Sequence, residues 1–133
     1  MRPRTLLFAQ LAVLLALYPY VRFGISHDYL WYVLWFSAIA HFLGGVWAAL
    51  FAVWAQSVLG FPRNLTGTVA AAFVIGILWE LFEFYTNNYI VGYPFDRIDT
   101  ISDLFLDLLG GVLVIIYFFK IIMPIGPNEV QSR

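Results

Sequence analysis

The 133-residue chain contains no cysteine, and only 11% of its residues are charged. Without cysteine there is no disulfide framework, no thiolate nucleophile and no thiolate metal site, so any metal has to be held by nitrogen and oxygen. Soluble domains carry about 25% charged residues to keep their surface hydrated. Seven basic and eight acidic side chains cannot do that here, which excludes a soluble enzyme. The net charge of -1 offers no cationic excess for a phosphate backbone, so nucleic acid is not a partner. What the chain has instead is apolar surface: 62% hydrophobic residues, 20% aromatic, and a mean hydropathy of +0.85. That is the composition of a membrane protein.

A helix needs about 20 mainly apolar residues to cross a bilayer. Four stretches qualify, near 5–21, 29–59, 66–86 and 100–123. The reading is an all-α, integral membrane protein: a single transmembrane domain of four helices. Arg2 and Arg4 before the first run resemble a signal peptide, but no small-x-small cleavage site follows, and Tyr18-Pro19-Tyr20 reads as an interfacial helix end. The first helix is therefore expected to be retained. Short connections at Arg22 to Asp28, Gly60 to Asn64 and Asn87 to Ile98 make neighbouring helices antiparallel. Thr66 is expected to cap the third helix, and Asn64-Leu65-Thr66, although a sequon, is not expected to carry glycan.

Lys and Arg are retained on the cytoplasmic side. With four spans, both termini share a side with Arg2, Arg4, Arg63, Lys120 and Arg133, against Arg22 and Arg97 opposite. Both termini are then cytoplasmic in a multi-pass inner-membrane protein. Trp31, Tyr32 and Trp35, with Tyr85, Tyr89 and Tyr93, make an aromatic belt at the outer surface.

Six of the eight acids, Glu80, Glu83, Asp96, Asp99, Asp103 and Asp107, fall within 28 consecutive residues whose one basic residue is Arg97. An ionised carboxylate in hydrocarbon costs at least ~2.5 kcal/mol, so these groups must face one another, water or a cation. Glu80 and Glu83 share a face of the third helix, and Asp99, Asp103 and Asp107 form a stripe at intervals of four on the fourth. His41 is the ionisable group of the second span. The helical rise puts His41 roughly 12 to 14 Å below the outer interface, Glu80 roughly 8 to 9 Å, Asp103 roughly 6 Å and Asp107 roughly 12 Å. Small residues accompany them: Ala38, Gly45, Ala48 and Ala52, then Gly76, then Gly110 and Gly111. Such residues allow close helix approach in lipid. The expectation is an outward-opening pocket between the last three helices, under the loop from Asn87 to Ile98.

The motifs His41-Phe42-Leu43-Gly44-Gly45, Trp79-Glu80-Leu81-Phe82-Glu83-Phe84 and Asp99-Thr100-Ile101-Ser102-Asp103, with Asp107 and Gly110, resemble the YjdF-like family of small bacterial inner-membrane proteins. The VanZ-like group is similar through His41, Glu80, Glu83, Arg97, Asp103, Asp107 and Gly110. Glu83 stands where that group has Gln, however, and Ser37 and Ala38 stand where it often has an Asp-Lys pair. These departures favour the YjdF-like branch. The resemblance covers residues 37 to 113 and implies no reaction; VanZ itself is linked to teicoplanin susceptibility and so to the cell surface.

The candidate site is His41, Glu80, Glu83, Asp103 and Asp107, with Arg97 and Asp99 as substrate-binding candidates. His41, Glu80, Asp103 and Asp107 suit a divalent cation such as Mg, Mn, Ca or Zn. Two functions remain open. One binds or modifies an envelope lipid headgroup or a lipid-linked phosphate, with His41 or a metal supplying acid-base or electrostatic help. The other is a non-catalytic accessory subunit, in a homo-oligomer or a larger membrane complex, whose polar cluster locks helices together.

Overall fold

The computed structural model describes residues 3–27, 34–62, 64–92 and 96–118. The expected helix positions beyond Phe118, the start of the second helix, and Trp31, Tyr32, Tyr93, Arg63, Lys120 and Arg133 lie outside the described residues, as does the side chain of Trp35.

The described residues form four α-helices: α1 (Pro3–Ser26), α2 (Leu34–Leu59), α3 (Leu65–Thr86) and α4 (Arg97–Ile116). The segments Pro3–Gly24, Phe36–Leu59 and Leu65–Ile90 are long and apolar enough to cross a membrane. α4 carries Arg97, Asp99, Asp103 and Asp107 in its N-terminal half and is not among these three.

α1 runs past its expected end at Val21, with Pro19 inside the helix. Proline removes one backbone donor and crowds the preceding turn, but a neighbouring helix can hold the strand of helix that follows. Here Tyr20 does so. Its ring stacks on Phe36 at 4.2 Å between centroids, and its hydroxyl donates to the Phe36 carbonyl at 2.9 Å. Tyr20 is thus a tether to α2, not an interfacial stop.

α2 is the central helix and packs against each of the other three. It ends where Gly60, at φ 75°, takes the left-handed conformation and lets the Phe61 amide donate to the Gln56 carbonyl. The turn that follows is closed by Asn64, not Thr66. The Asn64 side-chain oxygen accepts from the Gly67 amide at 2.6 Å, while Thr66 is exposed. The helix begins at Leu65, so Asn64 holds the capping position and its side-chain carbonyl reaches the third amide, while Thr66 is already inside the first turn. Gln56 finishes the corner, accepting from the Asn64 amide and donating to the Thr68 hydroxyl, both at 3.2 Å.

The expected loop after α3 is shorter than its composition suggests. Asn87–Val91 continues the helix as a π-helical turn, and Gly92 at φ 81° ends it. Asp96 then caps α4, accepting from the amides of Ile98 and Asp99. One of the six clustered acids is therefore used to start a helix.

Contacts near opposite ends fix the directions. Tyr20 meets Phe36 while Leu6 meets Val53, so α1 and α2 are antiparallel. His41 meets Glu80 while Gln56 meets Thr68, so α2 and α3 are antiparallel too. α2 and α4 run parallel and in step: His41 lies against Asp103, Gly45 against the Asp107 backbone, and Ala49 against Gly111. The core of this seam is small, built on Ala48, Ala49, Ala72 and Val114. A Cβ on Gly45 would collide with the backbone carbonyl of Asp107, and one on Gly110 with that of Phe42. A Cβ on Gly111 meets its neighbours at an ordinary 3.6 Å.

The outer faces are apolar. Phe8, Leu15, Leu78, Leu81, Phe82, Ile101 and Phe105 are all exposed, a surface that hydrocarbon solvates and water does not. The seam yields a contrast testable by thermal unfolding in detergent. Gly45→Ala and Gly110→Ala, which push into backbone, each lose about 1–3 kcal/mol. Gly111→Ala in the same seam stays close to wild type.

Candidate functional site

His41 sits two turns into α2 and is 4% exposed. Around its ring the structure gathers four carboxylates from two other helices. On the Nδ1 side are Glu80 Oε1 at 3.8 Å and Asp107 Oδ2 at 3.7 Å. On the Nε2 side are Asp103 Oδ2 at 3.4 Å and Glu83 Oε2 at 3.9 Å. All five candidates taken from the sequence therefore meet at one level.

Each is delivered by local helix geometry. Glu80 and Glu83 lie one turn apart near the end of α3 and reach opposite sides of the ring. Asp103 and Asp107 lie one turn apart on α4 and do the same. Glu80 and Asp103 are buried, the Asp107 side chain is 11% exposed, and Glu83 is the most open at 23%. Asp107 fits because two glycines make room for it. A Cβ on Gly44 would stand 3.4 Å from its Oδ1, and one on Gly76 3.2 Å from its Oδ2. The role of Gly44 was not read from the sequence, although its place one turn after His41 was the available signal.

Arg97 and Asp99 lie elsewhere. Both are exposed in the first turn of α4, before the chain reaches Asp103. They are not among the groups that surround the imidazole.

The arrangement is electrostatically unfinished. With every group ionised it sets four negative charges against one positive, in a region where isolated charge is expensive. Hydrogen bonding is unfinished as well. His41 Nδ1 and Glu80 Oε1 are buried and make no hydrogen bond, whereas buried polar groups in native proteins are almost always satisfied. One atom each from His41, Glu80 and Asp107 lies within 4.8 Å of the other two, a grouping able to hold a metal ion.

The site is enclosed, and the cavity that borders it is apolar. A groove of about 320 Å³ between α3 and α4 is lined by Ile77, Leu81, Phe84, Thr100 and Leu104, with Glu80 shared between groove and cluster. Near the same end of α3, Tyr85 and Tyr89 are exposed with their rings 5.2 Å apart.

A family model described as a predicted membrane protein, DUF2238, matches residues 4–123. The match takes in α1, which the resemblance over residues 37 to 113 did not. No curated protein and no solved structure matches the chain.

Removing the hub should expose its cost. His41→Leu leaves four carboxylates facing one another and is expected to lower stability by about 3 kcal/mol, the scale for stripping one partner from a buried ionic group. Asp99→Asn, on the exposed first turn, is expected to stay within about 0.5 kcal/mol of wild type. Thermal unfolding of the two variants in one detergent checks the difference.

Proposed function

Because the chain belongs to the DUF2238 family of predicted membrane proteins, we propose that it is a four-span inner-membrane protein whose buried histidine and carboxylates bind an envelope lipid headgroup or a lipid-linked phosphate. Both termini are cytoplasmic in this reading. The basic residues support that orientation: Arg2, Arg4, Arg63, Lys120 and Arg133 fall on one side, Arg22 and Arg97 on the other. α4 serves as the fourth span, with Asp103 and Asp107 turned into the bundle and Ile101, Phe105 and Leu109 turned outward.

The observation that carries the reading is the pair of orphaned buried atoms, His41 Nδ1 and Glu80 Oε1. A network selected only to lock helices would close its hydrogen bonds, since an unmet buried polar group costs about 1–3 kcal/mol. A network that waits for a ligand leaves them open. Glu80 also borders the apolar groove, so a hydrocarbon chain lying along Ile77, Leu81 and Leu104 brings its polar end to the cluster. Four carboxylates repel a bare phosphate. The headgroup is therefore recognised through an amine of its own or through a bridging cation.

Lipid retained through purification tests this. Wild-type protein is expected to hold about one equivalent of a particular lipid by mass spectrometry, and Asp103→Asn with Asp107→Asn to lose it while keeping its helicity. A double variant that keeps the lipid overturns the reading. One that instead drops out of a larger assembly favours the accessory-subunit role. Topology is tested separately, because the chain has no cysteine of its own. A cysteine placed at Ser26 or Gly92 is expected to react with an impermeant maleimide on spheroplasts, and one at Phe61 only after lysis.

A further inference from the structure

We propose that His41 Nδ1, Glu80 Oε1 and Asp107 Oδ2 form a three-ligand site for one divalent first-row metal cation, of the zinc or manganese class. The inference shares with the lipid reading only the premise that the cluster is a binding site.

The distances around Nδ1 are long for direct pairing and within reach of a shared cation. His41 Nδ1 stands 3.8 Å from Glu80 Oε1 and 3.7 Å from Asp107 Oδ2. Both are too long for a hydrogen bond. A cation roughly 2.0–2.2 Å from each ligand spaces tetrahedral neighbours about 3.4 Å apart and opposite ligands at most about 4.3 Å apart. Both measured separations fall in that window. Glu80 and Asp107 lie within 4.8 Å of each other and need at most a small closure.

Three buried side-chain atoms among the described residues make no hydrogen bond: His41 Nδ1 and Glu80 Oε1 belong to this set, and Trp47 Nε1 does not. Two carboxylates would neutralise a divalent charge. One imidazole with two carboxylates fits borderline cations better than Ca²⁺ or Mg²⁺, which take six or more oxygens or keep a shell of water. Three protein ligands also leave a coordination position open.

The other side of the ring supplies the usual partner of a metal-bound histidine. Such a histidine donates its second N–H to a carboxylate, which fixes the tautomer and the ring plane. Nε2 faces Asp103 at 3.4 Å and Glu83 at 3.9 Å. Asp103, a ligand candidate from the sequence, becomes a positioning residue, because it lies against Nε2 and not against the group around Nδ1. Gly44 and Gly76 hold open the space in which the Asp107 carboxylate turns toward Nδ1.

The test is elemental analysis of chelator-stripped protein in detergent after dialysis against Zn²⁺, Mn²⁺ or Mg²⁺. The expected result is one equivalent of zinc or manganese per chain and no stoichiometric magnesium. Glu80→Gln and Asp107→Asn are each expected to weaken binding at least tenfold. Asp103→Asn should weaken it roughly ten- to a hundredfold yet keep one equivalent at saturation. Asp99→Asn should match wild type. Should a ligand variant fail to fold, Gly76→Ala decides, since it crowds Asp107 and changes no ligand; it too should weaken binding. The proposal is overturned if stripped protein takes up no stoichiometric cation, or if folded Glu80→Gln, Asp107→Asn or Gly76→Ala binds as wild type does. Metal bound without retained lipid leaves this site standing and removes the headgroup reading; lipid retained by protein that takes up no cation does the opposite.

Discussion

The contact of one imidazole with four carboxylates, away from water, is the constraint around which the bundle is arranged. Charge of this density has no stable place against hydrocarbon, so the helices that carry it must turn it toward one another. That requirement sets the rotation of α3 and α4 about their axes. Glu80 and Asp103 point in, while Trp79, Leu81, Phe82, Ile101 and Phe105 point out. In a water-soluble helix the polar face is the exposed one; here the relation is reversed.

Bringing those groups together needs a close crossing, which large side chains would prevent. α2 and α4 meet over alanine and glycine, with Gly45 and Gly110 against opposing backbone. In lipid such contacts depend on packing and weak polar interactions, because hydrophobic burial contributes little between helices already surrounded by hydrocarbon. The seam runs parallel and in step, so the turn that sets Gly45 against the Asp107 backbone also brings the Asp107 carboxylate to His41. Packing and site geometry are therefore not separable along this seam: a change in spacing at Gly45 or Gly110 moves the carboxylate one turn or less away.

Much of this was legible in the residues. Length, hydropathy and the few charges were enough for an all-helical membrane protein, because a charge-poor chain has few alternatives. The convergence of His41, Glu80, Glu83, Asp103 and Asp107 followed from spacing of three and four along helices and from the cost of putting acids in lipid. What the residues did not show was anything that depends on a partner across space. The continuation of α1 through Pro19 rests on the stacking of Tyr20 on Phe36. The capping of α3 by Asn64 in preference to Thr66 rests on a corner that Gln56 completes from another helix. Asp99 has the right periodicity for the cluster but, like Arg97, lies too near the start of α4 to share its burial. The division of the four acids between Nδ1 and Nε2 is likewise a property of ring orientation, which spacing alone does not carry.

The corner of Gln56, Asn64 and Thr68 has a mechanical meaning. It clamps α2 to α3 at the end remote from His41, while at the other end α3 passes into the Asn87–Val91 turn and Gly92. α3 is thus fixed to α2 by uncharged hydrogen bonds at one end and by the imidazole's carboxylates at the other, so loss of the charged contacts leaves the corner as its remaining polar anchor on α2.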